Sequence, residues 1–238
     1  MLKTKNIKTL TVEYLGDFLN TVFPRCCSVC QNVLLKHEKY ICFPCLYRLP
    51  KTHYHTMDKN NLLEKFYGIF PIHHAAALFF YKSESDFHNI IHQFKYKGNK
   101  QMAQYMGNYY GKILKKSIFS EHDLLIPVPL HKKRQKYRGY NQSEELCNGL
   151  SEELNIPINT NAVQRIIHTK TQTRKSKGDR MDNVENIFSV AQPELLKNKS
   201  IILVDDVITT GSTIASCAAT IYKATECKIS ILSLAVAT

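Results

Sequence analysis

The chain has 238 residues, of which 44% are hydrophobic and 22% charged, and this length predicts one domain with a small appendage. No apolar run approaches the roughly 20 residues that a membrane-spanning helix needs, and residues 1–10 lack an apolar signal core, so we expect a cytoplasmic protein without a membrane span. The net charge of +12 lies in the first 140 residues, which indicates either bulk solubility or a surface for nucleic acid or polyphosphate.

A cysteine-rich segment follows a predicted amphipathic helix over residues 7–22. Two Cys-x-x-Cys pairs supply four thiolates with the spacing of a tetrahedral zinc site: Cys27, Cys30, Cys42 and Cys45. Four thiolates close the metal's coordination shell, so this zinc is expected to be structural. Disulfides are the alternative, which a cytoplasmic location disfavours. The fifth cysteine nearby, Cys26, is interpreted as a non-ligand.

The middle of the chain is predicted to contain a linker over 51–71, a strand over 75–81 and two helices within 87–117 that are broken near Gly98. The break mixes cations with an aromatic residue: Lys95, Tyr96, Lys97 and Lys100. Such a mixture fits a nucleic-acid or phosphate surface, but also an ordinary solvated helix end.

A dense cationic run follows the next predicted strand, over 124–130. It includes Lys132, Lys133, Arg134 and Arg138. Because ligands of open α/β sheets bind beyond the strand ends, we interpret this run as a site for an anionic ligand, with a solvated charge run as the alternative. A helix is predicted over 141–155.

A second cationic stretch occupies 163–190 and includes Arg174, Lys175 and Arg180. It has no apolar periodicity, so it predicts either a lid that closes over a polyphosphate or a segment without a role. Strands are predicted over 187–190 and 228–236. The isolated cysteines are predicted to be core residues: Cys147, Cys217 and Cys227.

The most informative stretch lies between these last two strands. The β-branched run 201–204 predicts a buried parallel strand, and Asp205 and Asp206 are expected to be exposed at its end. A loop with hydroxyls and a glycine comes next, just before a helix predicted over 214–224: Thr209, Thr210, Gly211, Ser212 and Thr213. Such a loop holds a phosphate at a helix N-terminus.

Carboxylates beside a phosphate loop predict a ligand that carries hydroxyls next to a phosphate, as ribose 5-phosphate does. A strand and turn capped for stability alone is the alternative. The loop resembles the phosphoribosyl pyrophosphate (PRPP) signature of type I phosphoribosyltransferases. The alternation of strands and helices along the chain predicts a parallel α/β sheet.

Three features in this order resemble the ComF family. They are Phe23-Pro24 followed by the four zinc-ligand cysteines; Pro127-Val128-Pro129-Leu130 with Arg138-Gly139-Tyr140-Asn141-Gln142; and Val204-Asp205-Asp206-Val207 with Thr209-Thr210-Gly211. The resemblance implies an N-terminal zinc finger over 1–55 and, over 56–238, a type I phosphoribosyltransferase-like parallel sheet flanked by helices.

The resemblance also implies PRPP bound with Mg²⁺. Asp205 and Asp206 would orient the sugar as the catalytic residues, residues 209–213 would anchor the 5-phosphate, and the cations of 132–138 and 174–180 would neutralise the pyrophosphate. Hypoxanthine-type enzymes carry an aspartate where this chain has Thr209, which argues against purine chemistry of that type.

Members of the ComF family are associated with DNA uptake in natural transformation. The resemblance therefore implies single-stranded DNA and DNA-uptake proteins as partners. An active phosphoribosyltransferase of nucleotide metabolism, with an unidentified acceptor, is the alternative.

Overall fold

The computed structural model describes residues 23–82, 84–85, 87–96, 99–166 and 187–238, with the backbone alone at 94–96 and 132–134. The chain divides into two compact units, 1–49 and 50–238. The predicted helix over 7–22 lies outside the described residues, as do Lys97, Gly98 and the stretch 167–186. No helix within the described ranges is both long and apolar enough to cross a membrane.

The described part of the first unit, residues 23–49, consists mainly of loops around the cysteines. Its described residues include one helix, α1 (Phe43–Tyr47), and an isolated antiparallel bridge between Cys26 and Val33. Few apolar side chains outside the cysteines are buried here: Val29, Leu34, Ile41 and Leu49. So small an apolar core requires a further source of stability, such as a structural metal.

In chain order, the strands of the second unit are β1 (Ile72–Tyr81), β2 (Leu124–Pro127), β3 (Val163–Arg165), β4 (Phe188–Val190), β5 (Ser200–Ile208) and β6 (Lys228–Ala237). Four of them form a parallel sheet in the spatial order β1-β6-β5-β2. Strands β3 and β4 form a separate antiparallel pair. The buried run 201–204 in β5 reads as continuously apolar because a parallel sheet is covered on both faces. The predicted parallel α/β sheet is confirmed.

Helices flank this sheet. They are α2 (Asn61–Glu64), α3 (His88–Tyr96), α4 (Lys100–Leu114), α5 (Lys132–Arg138), α6 (Gln142–Leu154) and α7 (Ser212–Thr225), with single 3-10 turns at Tyr54–Thr56, Ile118–Glu121 and Pro193–Leu195. The prediction of two helices within 87–117 is confirmed. The helix predicted over 141–155 is also confirmed. The Asn141 side chain caps its start by accepting a hydrogen bond from the Ser143 amide, and Asn155, with φ +58°, ends it. The three predicted core cysteines are buried.

Helices α4 and α6 cross with their backbones almost in contact. A Cβ on Gly149 would lie 2.1 Å from the carbonyl oxygen of Gln104, and a Cβ on Gly107 would lie 2.3 Å from that of Leu146. Only glycine allows this approach. The crossing fixes the position of α6, whose first turn packs against β5.

The prediction of a linker over 51–71 is wrong, because this segment packs against β1. Leu62, Leu63 and Phe66 are buried, and Asn60 caps α2 by accepting hydrogen bonds from the Leu62 and Leu63 amides. A four-residue helix is too short to show apolar periodicity in the sequence. In the sequence, the start of this helix is indicated by Asn60, a residue type common at helix N-caps.

The acids lie inside β5, not after it as predicted. Strand β6 continues to pair with β5, with Asp205 opposite Ser233 and Ile208 opposite Val236. Strand β2 stops earlier, at Pro127 opposite Val204. Within the described residues, the part of β5 that carries the acids therefore pairs with β6 alone.

Candidate functional site

The four predicted zinc ligands come together in the first unit. Their Sγ atoms all lie within 4.8 Å of one another, and the Sγ atoms of Cys30 and Cys42 are 3.7 Å apart. Tetrahedral zinc with Zn–S bonds of about 2.3 Å requires S···S separations of about 3.8 Å, so the cluster fits zinc. Cys26 is exposed and its Sγ lies 3.5 Å from the Pro24 carbonyl oxygen, outside the cluster, in agreement with its interpretation as a non-ligand.

Backbone amides favour a thiolate at Cys27. The amides of Val29 and Cys42 donate to its Sγ at 3.4 Å each. Burial raises the pKa of the Cys27 thiol, but the backbone hydrogen bonds from Cys42, Cys30 and Val29 outweigh it and lower this pKa to about 7. Metal ligation requires the thiolate, so the local backbone is arranged for a cation.

Glu38, which the sequence did not single out, ties the loop between the two cysteine pairs to the start of α1. Its carboxylate accepts hydrogen bonds from the Phe43 amide at 2.7 Å and the Leu35 amide at 2.8 Å. These two amides lower the pKa of the Glu38 carboxyl. Because Phe43 begins α1, the contact positions the helix that carries Cys45. The only signal in the sequence was an acid between the two cysteine pairs.

Asp205 and Asp206 lie near the carboxyl end of β5 and are half-buried, so the predicted exposure is wrong. Asp205 Oδ1 accepts hydrogen bonds from Ser143 Oγ at 3.1 Å and from the Asp206 amide at 2.9 Å, while Asp206 Oδ1 accepts one from the Val207 amide at 2.7 Å. Ser143 stands in the first turn of α6, and sequence reasoning missed it. This contact between α6 and β5 accounts for part of the burial of Asp205.

The predicted phosphate loop follows directly. Gly211 is buried with φ +81°, and Ser212 begins α7. The Thr210 and Ser212 hydroxyls are 3.0 Å apart. The first-turn amides of a helix have no intrahelical acceptor and carry the positive end of its dipole. A small cavity of about 40 Å³ is lined by Asp205 and residues 207–214, so one acid and the loop border the same space.

A larger cavity of about 590 Å³ lies beyond the end of β2, a volume in the range of small-molecule sites. Its wall includes His131, Arg165 and Glu144. Burial and the neighbouring Glu145 carboxylate raise the pKa of Glu144. Ser143, which contacts Asp205, stands next to Glu144 in the chain. Neither Asp205 nor Asp206 lines this cavity, so the two cavities have separate walls.

Of the cationic residues predicted to bind an anionic ligand, the structure describes the side chain of Arg138 but not those of the others. Arg138 ends α5, and its Nη1 donates to Gln142 Oε1 at 3.1 Å. Lys132, Lys133 and Arg134 lie in α5, but their side chains are outside the described residues. The remaining cations predicted for the second stretch lie wholly outside the described residues: Arg174, Lys175 and Arg180.

Comparison with known proteins gives several relatives. The chain is 48% identical to competence protein F of Haemophilus influenzae over 96 residues, 39% of this chain and 41% of that protein. It is 30% identical to the DNA utilization protein YhgH of Escherichia coli over 199 residues, 81% of this chain and 82% of that protein. It is 27% identical to competence protein ComFC of Bacillus subtilis over 124 residues, 52% of this chain and 48% of that protein. The matches to the two competence proteins thus span about half of those proteins or less. No protein-family model matches the chain.

Two solved structures show a partial likeness. Glutamine PRPP amidotransferase from Bacillus subtilis, complexed with ADP and GMP, has a TM-score of 0.42 and 18% identity, over 60% of this chain and 30% of that chain. A hypoxanthine phosphoribosyltransferase from Staphylococcus aureus has a TM-score of 0.37 and 13% identity, over 56% of this chain and 62% of that chain. Both scores are low, so the sheet order and register described above define the architecture.

Proposed function

This chain belongs to the ComF family, and we propose that it acts in the cytoplasm, in DNA uptake, as a phosphoribosyltransferase-like protein that binds PRPP with Mg²⁺. The placement of Asp205 and Asp206 at the carboxyl end of β5, directly before the loop 209–213, carries this proposal. The names of the relatives, competence protein and DNA utilization protein, support the role in DNA uptake.

A phosphorylated ribose matches the order of groups along this edge of the sheet. Carboxylate oxygens accept hydrogen bonds from the 2- and 3-hydroxyls, and the amides and hydroxyls of residues 209–213 suit the 5-phosphate. His131 and Arg165, in the wall of the larger cavity, suit a pyrophosphate group on C1.

The acid pair also fits the chemistry of Mg²⁺. This ion prefers oxygen ligands and is commonly held by one or two carboxylates together with substrate phosphates. Mg²⁺ bound with PRPP would neutralise charge on the pyrophosphate. Asp205 and Asp206 would then hold the sugar with its C1 toward the larger cavity.

Phosphoribosyl transfer to an acceptor is a second candidate function, which the cavity of about 590 Å³ favours because it has room for a second molecule. The bond between C1 and the pyrophosphate oxygen would break, pyrophosphate would leave with the electron pair, and the acceptor would bond to C1. His131 and Arg165 would stabilise the leaving charge. Glu144, which lines the same cavity, is placed to contact the acceptor.

Single-stranded DNA is the proposed macromolecular partner. The first unit exposes Phe23, Phe43 and Tyr47, and α5 exposes Tyr137 within its cationic run. Aromatic side chains among cations suit stacked bases and their phosphates. The zinc cluster is proposed to maintain the fold of the first unit.

Calorimetric titration with PRPP and MgCl₂ tests the binding site. The wild-type chain is expected to bind, and a variant with both Asp205→Asn and Asp206→Asn is expected to bind at least ~10-fold more weakly, about 1.4 kcal/mol. Asparagine keeps an acceptor for Ser143, so the variant should fold. Asp123→Asn is the matched control, since Asp123 contacts the amide of Ser200 at the opposite end of β5. Unchanged affinity in a folded double variant contradicts the proposal.

Two assays separate the candidate functions. Pyrophosphate release from PRPP in the presence of candidate bases detects transfer. A mobility shift of labelled single-stranded DNA across salt concentrations detects DNA binding, and changing Lys132, Lys133 and Arg134 to Ala is expected to reduce the salt slope by about 2, at ~0.7 per phosphate contact. DNA binding without base-dependent pyrophosphate release rules out transfer to the bases tested. A slope that the triple variant leaves unchanged excludes α5 as the DNA surface.

A further inference from the structure

We propose that Lys65 binds the phosphate group of a sugar phosphate held at the loop 209–213. Its Nζ lies 3.4 Å from the carbonyl oxygen of Thr209, the first residue of that loop, although the two residues are 144 positions apart in the chain. This role depends on the sugar-phosphate binding proposed above, to which it adds a cation from a different part of the fold.

The segment that carries Lys65 is anchored to β1. Asn60 Nδ2 donates to the Ala75 carbonyl oxygen at 2.9 Å, and Asn60 Oδ1 accepts hydrogen bonds from the amides of Leu62 and Leu63 at 3.1 and 2.9 Å. Leu62 and Leu63 are themselves buried. Helix α2 is therefore held at its start by side-chain hydrogen bonds and along its length by packing.

The residue after Lys65 packs against the loop itself. Phe66 is fully buried, and a Cβ on Gly211 would lie 3.2 Å from its ring. Because Phe66 touches the loop at Gly211 and Lys65 touches it at Thr209, this segment contacts both ends of the turn before α7. The exposed ammonium group of Lys65 is thus kept at the loop by a buried neighbour.

The segment that forms β5 and the loop supplies acids but no cation of its own. No Lys or Arg occurs from Ser200 to Ile214, whereas Asp205 and Asp206 place two negative charges there. A phosphate that enters beside them brings further negative charge. A contact of 3.4 Å to a neutral carbonyl is long, and a charged phosphate oxygen forms a shorter and stronger bond to an ammonium group. Lys65 can therefore exchange the Thr209 carbonyl for the ligand.

Titration of the full chain with ribose 5-phosphate, inorganic phosphate and ribose tests this assignment. Lys65→Met removes the charge and the donor, Lys65→Gln keeps a donor without the charge, and Lys65→Arg keeps both. We expect Lys65→Met and Lys65→Gln to bind ribose 5-phosphate ~10-fold more weakly or worse, about 1.4 kcal/mol, and Lys65→Arg to stay within about threefold of wild type. Lys59→Gln, an exposed lysine earlier in the same segment, is the matched control and should bind as wild type.

Thermal unfolding verifies that each variant is folded. Because the Lys65 side chain is exposed, its substitution is expected to leave the fold intact. Wild-type affinity in Lys65→Gln overturns the assignment, because the lysine would then only donate to Thr209. An equal loss in Lys65→Arg also overturns it. A wild-type chain that binds neither ribose 5-phosphate nor PRPP overturns the proposed function itself, so the two failures are distinguishable. The role of Lys65 is supported if Lys65→Met and Lys65→Gln weaken the binding of the phosphorylated ligands alone and Lys65→Arg restores it.

Discussion

In the described part of the first unit, residues 23–49, four apolar side chains are buried besides the cysteines, whereas the second unit is organised around a parallel sheet whose central strands are buried on both faces. In the first unit a cluster of thiols, with backbone amides and Glu38 around it, takes the place of a core. In the second, apolar packing fixes the backbone, and the polar groups gather at the carboxyl ends of the strands. The two units should therefore fail under different perturbations, and the predictions below run from the largest expected effect to the smallest.

Removal of the metal should unfold the first unit alone. Binding of structural zinc supplies about 10–16 kcal/mol to small metal-dependent folds. We expect Cys27→Ser to lose one zinc per chain and to lose hydrogen-exchange protection over residues 27–49, while β1, β5 and β6 keep theirs. Elemental analysis with hydrogen exchange measures both. Cys26→Ser is the matched control and should keep its zinc. Full zinc occupancy in Cys27→Ser contradicts the ligand assignment.

Overpacking of the α4–α6 crossing should damage only the second unit. Gly149→Ala places a methyl group 2.1 Å from the Gln104 carbonyl oxygen, a backbone atom that cannot move without separating the helices. We expect a loss of about 3 kcal/mol in the free energy of unfolding, measured by urea denaturation. Gly111→Ala is a milder comparison, because its added methyl group would lie 2.7 Å from Glu153 Cβ and not 2.1 Å from a backbone oxygen. Wild-type stability of Gly149→Ala would refute the close crossing.

Acid should weaken the second unit through His122. Its ring nitrogens lie 3.1 Å from the Ile118 carbonyl oxygen and 2.9 Å from Ser230 Oγ, and burial lowers its pKa from 6.5 to about 4. Nearby His74 also lowers this pKa, while Asp123 raises it. The unfolded chain thus binds the proton first, so stability from the neutral ring is complete above pH 6.5 and is lost as pH falls toward 4.

The measurement is urea denaturation of wild type and His122→Gln between pH 7 and 4.5. We expect the stability advantage of wild type over the variant to shrink by about 2 kcal/mol across this range, from the linkage between pKa and stability. His55→Gln is a weaker comparison, since burial and the neighbouring His53 lower the pKa of His55 in the same direction, and its advantage should shrink less than that of His122. A constant difference between wild type and His122→Gln would show that His122 is not held neutral.

The smallest effect is expected at the tie between α6 and β5. Ser143→Ala removes the hydroxyl that donates to Asp205 and should cost about 1 kcal/mol in the free energy of unfolding of the second unit. The zinc content of the first unit should not change. Ser151→Ala, later in the same helix, is a useful comparison, since it removes a hydrogen bond of 2.7 Å to the Ile156 carbonyl oxygen without touching β5. Only Ser143→Ala should also weaken PRPP binding.

Features encoded by neighbouring residues could be predicted from the sequence. The spacing of Cys27, Cys30, Cys42 and Cys45 predicted the thiol cluster, because short loops between paired cysteines bring thiols together. The apolar run before Asp205 predicted a buried parallel strand. Asn141 and Asn155 mark the ends of α6, since cap residues act on amides and carbonyls within one turn of themselves.

Contacts between distant parts of the chain were decided only by the tertiary structure. Ser143 reaches Asp205 across 62 positions and Lys65 reaches Thr209 across 144. The length of β5 likewise depended on its pairing with β6. Periodicity and capping describe the backbone of a segment, but they do not specify its neighbours. Which side chains meet at the strand ends is set by helix crossings and strand register, and those follow from how the whole unit packs.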